Sequence, residues 1–497
     1  MKKKTKNIII MLVVLLAVGG IAAALLLNPK EDTAEEPSSS TATEIIPVVE
    51  KTAADLSSIS VKNAADQFVI TAKQIAADEA TETKASTEFS LEGFDGVALN
   101  ASNLSSAANT VVSLNAVKQL DTPEKLADFG LDGEGEATLT LQYTDGTHET
   151  LIVGLPSSGT TGRYVLKDKN VYIVSSVSQS FFDTALSFVD TAVLAIPDVE
   201  VTDAEGNVSA GADVLTALTL SGKQFPEQIE IALNPNDSTS MSPNRVLAPI
   251  EADGNSTAIS EITTALRTIT ATNVVQVKAD DADFETYGLA EPYAQADFEI
   301  NGEKHTVKIS DANENKNHYL VIDDNKTIYE VPSSSVSVWS DAKLDKLRAS
   351  YILLSNIQDV SKLTYTKSDS TYVFDMTREK NEEKSTDDAI QYDISATFNG
   401  GSIDYSKTYQ PMYSAMLSLP ILSSEVVEYD KASPIFSMQY DYFEGGSDVV
   451  KFYALEGQDR YVAELNGKYS GILRKVSLDD FITLLDRASK NEVLKES

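Results

Sequence analysis

The stretch FETYGLAEPYAQADFEINGEKHTVKIS, residues 284–310, contains no nucleophile paired with a base and no glycine-rich phosphate loop. Its pattern is that of a strand, a turn and a returning strand. An aromatic-Gly-Leu step (Tyr287, Gly288, Leu289) is followed by alternating Ala296, Phe298 and Ile300, then by the Asn301-Gly302 turn. Alternation at period two marks a half-buried strand, and Asn-Gly accepts the positive φ angles of a tight hairpin. The pattern is written a second time, upstream, as LADFGLDGEGEATLTLQYTDGTHETLIVG, residues 126–154. There Phe129-Gly130-Leu131 precedes Leu139, Leu141 and Tyr143, and Thr144-Asp145-Gly146 supplies the turn.

The repetition extends outward. Arg163–Leu166 (RYVL) matches His318–Val321 (HYLV), and Val171–Val174 (VYIV) matches Ile328–Val331 (IYEV). Upstream, Leu56, Ile59 and Val61 align with Leu215, Leu218 and Leu220, and again with Val360, Leu363 and Tyr365. A third, diverged unit therefore begins near Asp359, with Arg460–Ala463 (RYVA) standing where RYVL and HYLV stand. Helical spacing of apolar residues predicts helices over Ser102–Leu120, Ala258–Ile269 and Pro411–Leu419. The predicted class is α+β: tandem repeats of a small antiparallel sheet with packed helices, preceded by one N-terminal transmembrane helix.

That last element rests on Lys2, Lys3, Lys4 and Lys6 before an uncharged apolar run from Ile8 to Leu27. Such a run is about long enough for the ~30 Å hydrocarbon core, and the lysines orient it with the N-terminus in the cytoplasm. A cleaved signal peptide with a site at Ala22-Ala23-Ala24 is the alternative. Either way the remaining mass is expected outside the cytoplasm. Residues 28–50 are acidic and rich in Ser, Thr and Pro, and read as a stalk. The expected division is a basic tail 1–7, an anchor 8–27, the stalk 28–50, and units 51–198, 199–355 and 356–490.

Composition narrows the function classes. The 497 residues carry a formal net charge of −35, which would repel a nucleic-acid backbone, so no nucleic-acid partner is expected. Cysteine is absent, which removes disulfides, thiolate catalysis and zinc–sulfur sites. Among three histidines, His148 and His305 follow corresponding turns in separate units, and they read as surface-strand residues rather than metal ligands. Asp311–Asn315 (DANEN) opens like a calcium loop, but Lys316 and Ile322 stand where Gly and an acid are needed. Ser340–Lys343 (SDAK) matches a serine-hydrolase motif without its companion motifs, and Ser340 reads as the N-cap of a helix at Leu344–Leu347. No catalytic, cofactor or metal residues are assigned. The recurring Tyr164, Tyr172, Tyr319 and Tyr329 are the only candidate ligand or interaction surface, with cross-strand packing as the plainer reading.

These features resemble the DUF4340 domain, a family of membrane-anchored bacterial proteins. The residues that carry the likeness are the Lys2–Leu27 anchor, the strands after Asp55 and Asp359, Tyr287-Gly288-Leu289 with Pro292, the two hairpins, and Tyr164 and Tyr319. The junction Leu347–Tyr365 also resembles the family's junction between copies. The tryptophan usual before the first helix is replaced here, by Phe89 or Val246. The resemblance implies association with ABC-type transporters, including components similar to the gliding-motility system, and so a permease or auxiliary subunit as partner. It carries over no catalytic residues and no cofactor. A module binding cell-wall glycan is the alternative expectation, and a hydrolase the third.

Overall fold

The computed structural model describes residues 46–494, apart from 78–83, 122–124, 134, 160, 204–205, 236–239, 369 and 387–389. Among the described residues strand takes up 44% and helix 19%, so the structure is mostly antiparallel sheet. This corrects the expected α+β arrangement of small sheets. Three sheets of nine strands each carry the structure. The expected transmembrane segment, residues 8–27, lies outside the described residues. Among the described residues no helix is long and apolar enough to cross a membrane.

The second and third sheets share one strand order, and eight strands of the first follow it; there Ile46–Pro47 adds an edge beyond Asn115–Leu120, and Ser86–Leu91 is the edge at the other side. In the second the order runs Asn273–Gln276, Ile328–Pro332, Asn317–Ile322, Glu303–Ile309, Ala294–Ile300, Leu215–Ser221, Ile229–Leu233, Asn244–Ala248 and Ala252–Asp253. The sheets are wider than the sequence suggested for a physical reason. Outer strands such as Asn115–Leu120 and Ser86–Leu91 bury few side chains and so carry little apolar alternation. Asn115–Leu120 falls inside the span expected to be helical; the helix there, α1, covers only Ala101–Val112. The matching helix of the second module, α2, covers Ser256–Arg267. Asn100 and Asn255 cap the two helices, each side-chain oxygen accepting from the backbone N–H three residues on.

The repeated aromatic-Gly-Leu step covers the outer face of a sheet. Helix α3, Asp281–Thr286, opens with a reciprocal cap between Asp280 and Asp283. Gly288, at φ 71°, turns the chain back so that Leu289 N–H donates to Phe284 O at 2.8 Å. Leu289 then sits 2% exposed among Ala279, Val321 and Ile328. In the first module a single 3₁₀ turn, Leu126–Phe129, does the same work. Gly130 lies at φ 67°, and Leu131 N–H donates to Leu126 O at 3.0 Å. The Asn301-Gly302 turn has both residues at positive φ, as its sequence requires.

Four further helices close the modules. Helix α4, Ser333–Ser340, and the short α5, Leu344–Leu347, follow the second sheet. Helix α6, Gln410–Leu417, and α7, Lys475–Ala488, cover the third. Ser340 is therefore the buried last residue of α4, while Lys343 stands at the N-cap of α5, which corrects the capping role expected for Ser340.

Candidate functional site: a buried charge cluster between the second and third sheets

Strand Asn244–Ala248 places Val246 in the core of the second sheet and turns Arg245 to the opposite face. That face meets the third sheet. The Arg245 side chain is 1% exposed, and its guanidinium lies between two carboxylates. Nη1 donates to Asp448 Oδ1 at 3.0 Å and Nη2 to Asp448 Oδ2 at 3.4 Å, a forked pair. Nε and Nη2 both reach Asp253 Oδ1 at 3.3 Å. Glu251 lies 3.6 Å from Nη1.

The carboxylates are held in turn. Asp253 Oδ2 accepts from Leu354 N–H at 2.6 Å and from the Ser240 hydroxyl at 3.3 Å, while Asn234 donates to Oδ1 at 3.0 Å. Asp448 accepts from Tyr442 OH at 2.8 Å and from Asn466 Nδ2 at 2.8 Å. Asn466 Nδ2 also reaches back to Glu251 at 3.0 Å, and Ser355 Oγ lies 2.7 Å from Tyr442 OH. Nearby, Arg348 is 4% exposed and donates only to carbonyls, those of Ala349, Ser470 and Tyr351.

Burial works against the charge on Arg245, but Asp448, Asp253 and Glu251 outweigh it and hold the guanidinium above its ordinary value. Burial lifts Asp253 above the usual carboxylate range, against the pull of Arg245. For Asp448 burial is also the largest influence, yet the donors Arg245, Asn466 and Tyr442 prevail and lower it. Arg348, without a carboxylate in contact, is pushed by burial down to about 10. All three guanidinium nitrogens of Arg245, and both oxygens of Asp253 and of Asp448, are engaged. Such a cluster ties two sheets together.

The four tyrosines do not form one strip. Tyr164 faces Ile173 across the ladder and Val165 faces Tyr172, so Tyr164 and Tyr172 point to opposite sides of their sheet. Tyr319 and Tyr329 are opposed in the same way. Tyr172 packs against the first core, and Tyr329 is 3% exposed in the second. Tyr164 and Tyr319 stay half-buried on the outer faces. Each meets the aromatic of its Gly-Leu step edge to face: Phe129 at 4.7 Å and Tyr287 at 4.8 Å between centroids.

The histidines occupy separate places. His318 is buried, its ring nitrogens 2.8 Å from Ser310 O and 2.9 Å from Ser333 Oγ. His305 Nδ1 lies 2.9 Å from Asp323 and lines an open cavity of about 380 Å³ with Asp297 and Thr306. His148 begins its own strand in the first sheet. Among the described residues, no group of three or more His, Cys, Asp or Glu side chains is placed to hold a metal ion. Asn313 uses its side-chain oxygen to accept from Asn315 and Asn317 N–H, both at 3.0 Å, closing the DANEN loop on itself.

Sequence reading missed Arg245, Asp253 and Asp448. The only local signal is one arginine immediately before the apolar run Val246-Leu247-Ala248-Pro249-Ile250. Asp448, 203 positions away, has none.

The family described as Domain of unknown function (DUF4340) matches residues 91–292 and 245–423. No curated protein matches the chain.

Proposed function

This chain belongs to the DUF4340 family, and from that premise we propose a non-enzymatic role for it, as an extracytoplasmic accessory or scaffold of an ABC-type transport or cell-envelope complex. In this reading the apolar run Ile8–Leu27 attaches the chain to the membrane and the bulk lies outside the cytoplasm. The observation that carries the reading is where the most costly residues sit. Buried charges are tolerated when paired and hydrogen-bonded, and functional sites are where proteins often keep them. Here they join two copies of one sheet, as a supporting body requires. The test is crosslinking in intact cells with a photoreactive residue at exposed positions, followed by identification of the captured protein. A transport-permease or auxiliary subunit is the expected product. Consistent capture of an unrelated soluble protein, with no membrane subunit, overturns the reading.

One observation favours a second reading, a glycan-binding module. The equivalent pairs Phe129–Tyr164 and Tyr287–Tyr319 lie on outer faces, where an aromatic ring can stack on a sugar. Sedimentation with purified cell wall checks it. Undiminished binding by the variant Tyr164→Ala with Tyr319→Ala removes these residues as the site.

A further inference from the structure

The two junctions between consecutive modules have the same backbone. Asn100 N–H donates to Phe188 O at 2.8 Å at the first junction, and Asn255 N–H to Leu347 O at 2.8 Å at the second. Asp190 N–H donates to Ala98 O as Ala349 N–H donates to Asp253 O. Ala271 N–H donates to Thr191 O as Ile421 N–H donates to Ser350 O. Strand register and these bonds identify the matching residues. Arg245, which faces Ala232, corresponds to Ser90, which faces Thr71. Asp253 corresponds to Ala98. Asp448 faces Tyr440 as His305 faces Phe298, so these two correspond. Asn466, which bridges to Val449 at φ 53°, corresponds to Asp323, which bridges to Thr306 at φ 49°.

The side chains differ at every one of these positions. Where the second junction has Arg245 and Asp253, both buried, the first has Ser90 and Ala98, both exposed. His305 turns to Asp323 of its own module rather than to the preceding one. The apolar packing differs in the same sense. Tyr453, Val462 and Tyr469 of the third module belong to the hydrophobic cluster of the second, whereas the first module's core forms a cluster of its own. Among the described residues, no side-chain hydrogen bond or ion pair runs from residues 46–189 to residues 199–347. The larger contacts at this junction are the connecting strand Ala192–Ala195 with Thr268–Thr270, and the turn at Ala185–Phe188 against Asn273–Gln276.

We infer that the first junction is a joint and the second is fixed: the first module swings about the chain near residues 190–191, just before the strand that pairs with Thr268–Thr270, while the second and third move as one body. Interfaces with little apolar burial and no charge lock permit relative domain motion, and a desolvated, forked ion pair with a shared core does not. The inference stands on the junctions alone and does not depend on the proposed function.

The absence of cysteine makes the test direct, because introduced cysteines are the only labelling sites. Ser106, Thr264 and Asp480 are exposed on α1, α2 and α7, one helix in each module. Spin labels on Ser106→Cys with Thr264→Cys report the first junction in the full chain. Labels on Thr264→Cys with Asp480→Cys report the second. Pulsed electron–electron distance measurement is expected to give a broad or multiple distribution for the first pair and a single narrow one for the second. Adding Arg245→Ala to the second pair is expected to broaden it. A first-pair distribution as narrow as the second overturns the inference, whether or not the Arg245 variant folds.

Discussion

Replacing Arg245 by alanine removes the cation that lies between Asp253 and Asp448 at the second junction. Asp253 and Asp448, 0% and 1% exposed, then share a desolvated space with Glu251. Removing one partner of a buried ion pair typically costs about 3–5 kcal/mol, because the other charge stays buried. The upper part of that range applies here, since two carboxylates are left and three guanidinium nitrogens are lost. For a folding unit of this size the melting temperature should fall by on the order of 10 °C. The chain's single tryptophan, Trp339, lies 0% exposed in the second module, so its fluorescence follows that module's unfolding in urea or on heating. The pH dependence gives the sign. Without Arg245, both carboxylates in the folded state titrate above their unfolded values. The folded variant then binds more protons than the unfolded chain as pH falls toward about 4, and its stability rises relative to wild type. The deficit at pH 7 should therefore shrink toward pH 5. A loss under about 1 kcal/mol at pH 7, or a deficit that grows on acidification, would refute the assignment of Arg245 as the charge that holds this junction.

Further expectations follow from single positions. Gly130→Ala should cost more than Gly288→Ala in chemical unfolding. Both residues have positive φ, worth about 1 kcal/mol, but a Cβ at 130 would lie 2.8 Å from Leu155 Cγ, against 3.5 Å from Ser310 Cβ at 288. Asn255→Ala should lower stability by about 1 kcal/mol through loss of the α2 cap, with no change in circular dichroism at low temperature. Tyr319→Ala should cost about 0.5–1.5 kcal/mol beyond its lost area, from the edge-to-face pair with Tyr287, and Tyr164→Ala should behave alike. A clear difference between those two variants would show that the outer faces of the two modules are not equivalent.

Much of the repeat was legible because its signals are local. An aromatic-Gly-Leu step needs a positive φ, an Asn-Gly turn needs two, and alternation names the buried face of a central strand. Each condition is met within a few residues, so each can be read in the order of the chain. Asn115–Leu120 escaped because it lies away from the centre of its sheet, where burial no longer imposes alternation, and the extent of the helix at α1 was overestimated for the same reason. Arg245, Asp253 and Asp448 escaped for another. One arginine in an apolar strand is a weak mark, and the partner that makes it tolerable is 203 residues away. The sequence by itself determined the recurring unit and the turns that shape it, because those depend on backbone conformation and nearest neighbours. Only the tertiary structure decided which junction carries buried charge and which is left open. A desolvated ion pair is stable only when every partner is in place, and those partners come together from two sheets after both have formed.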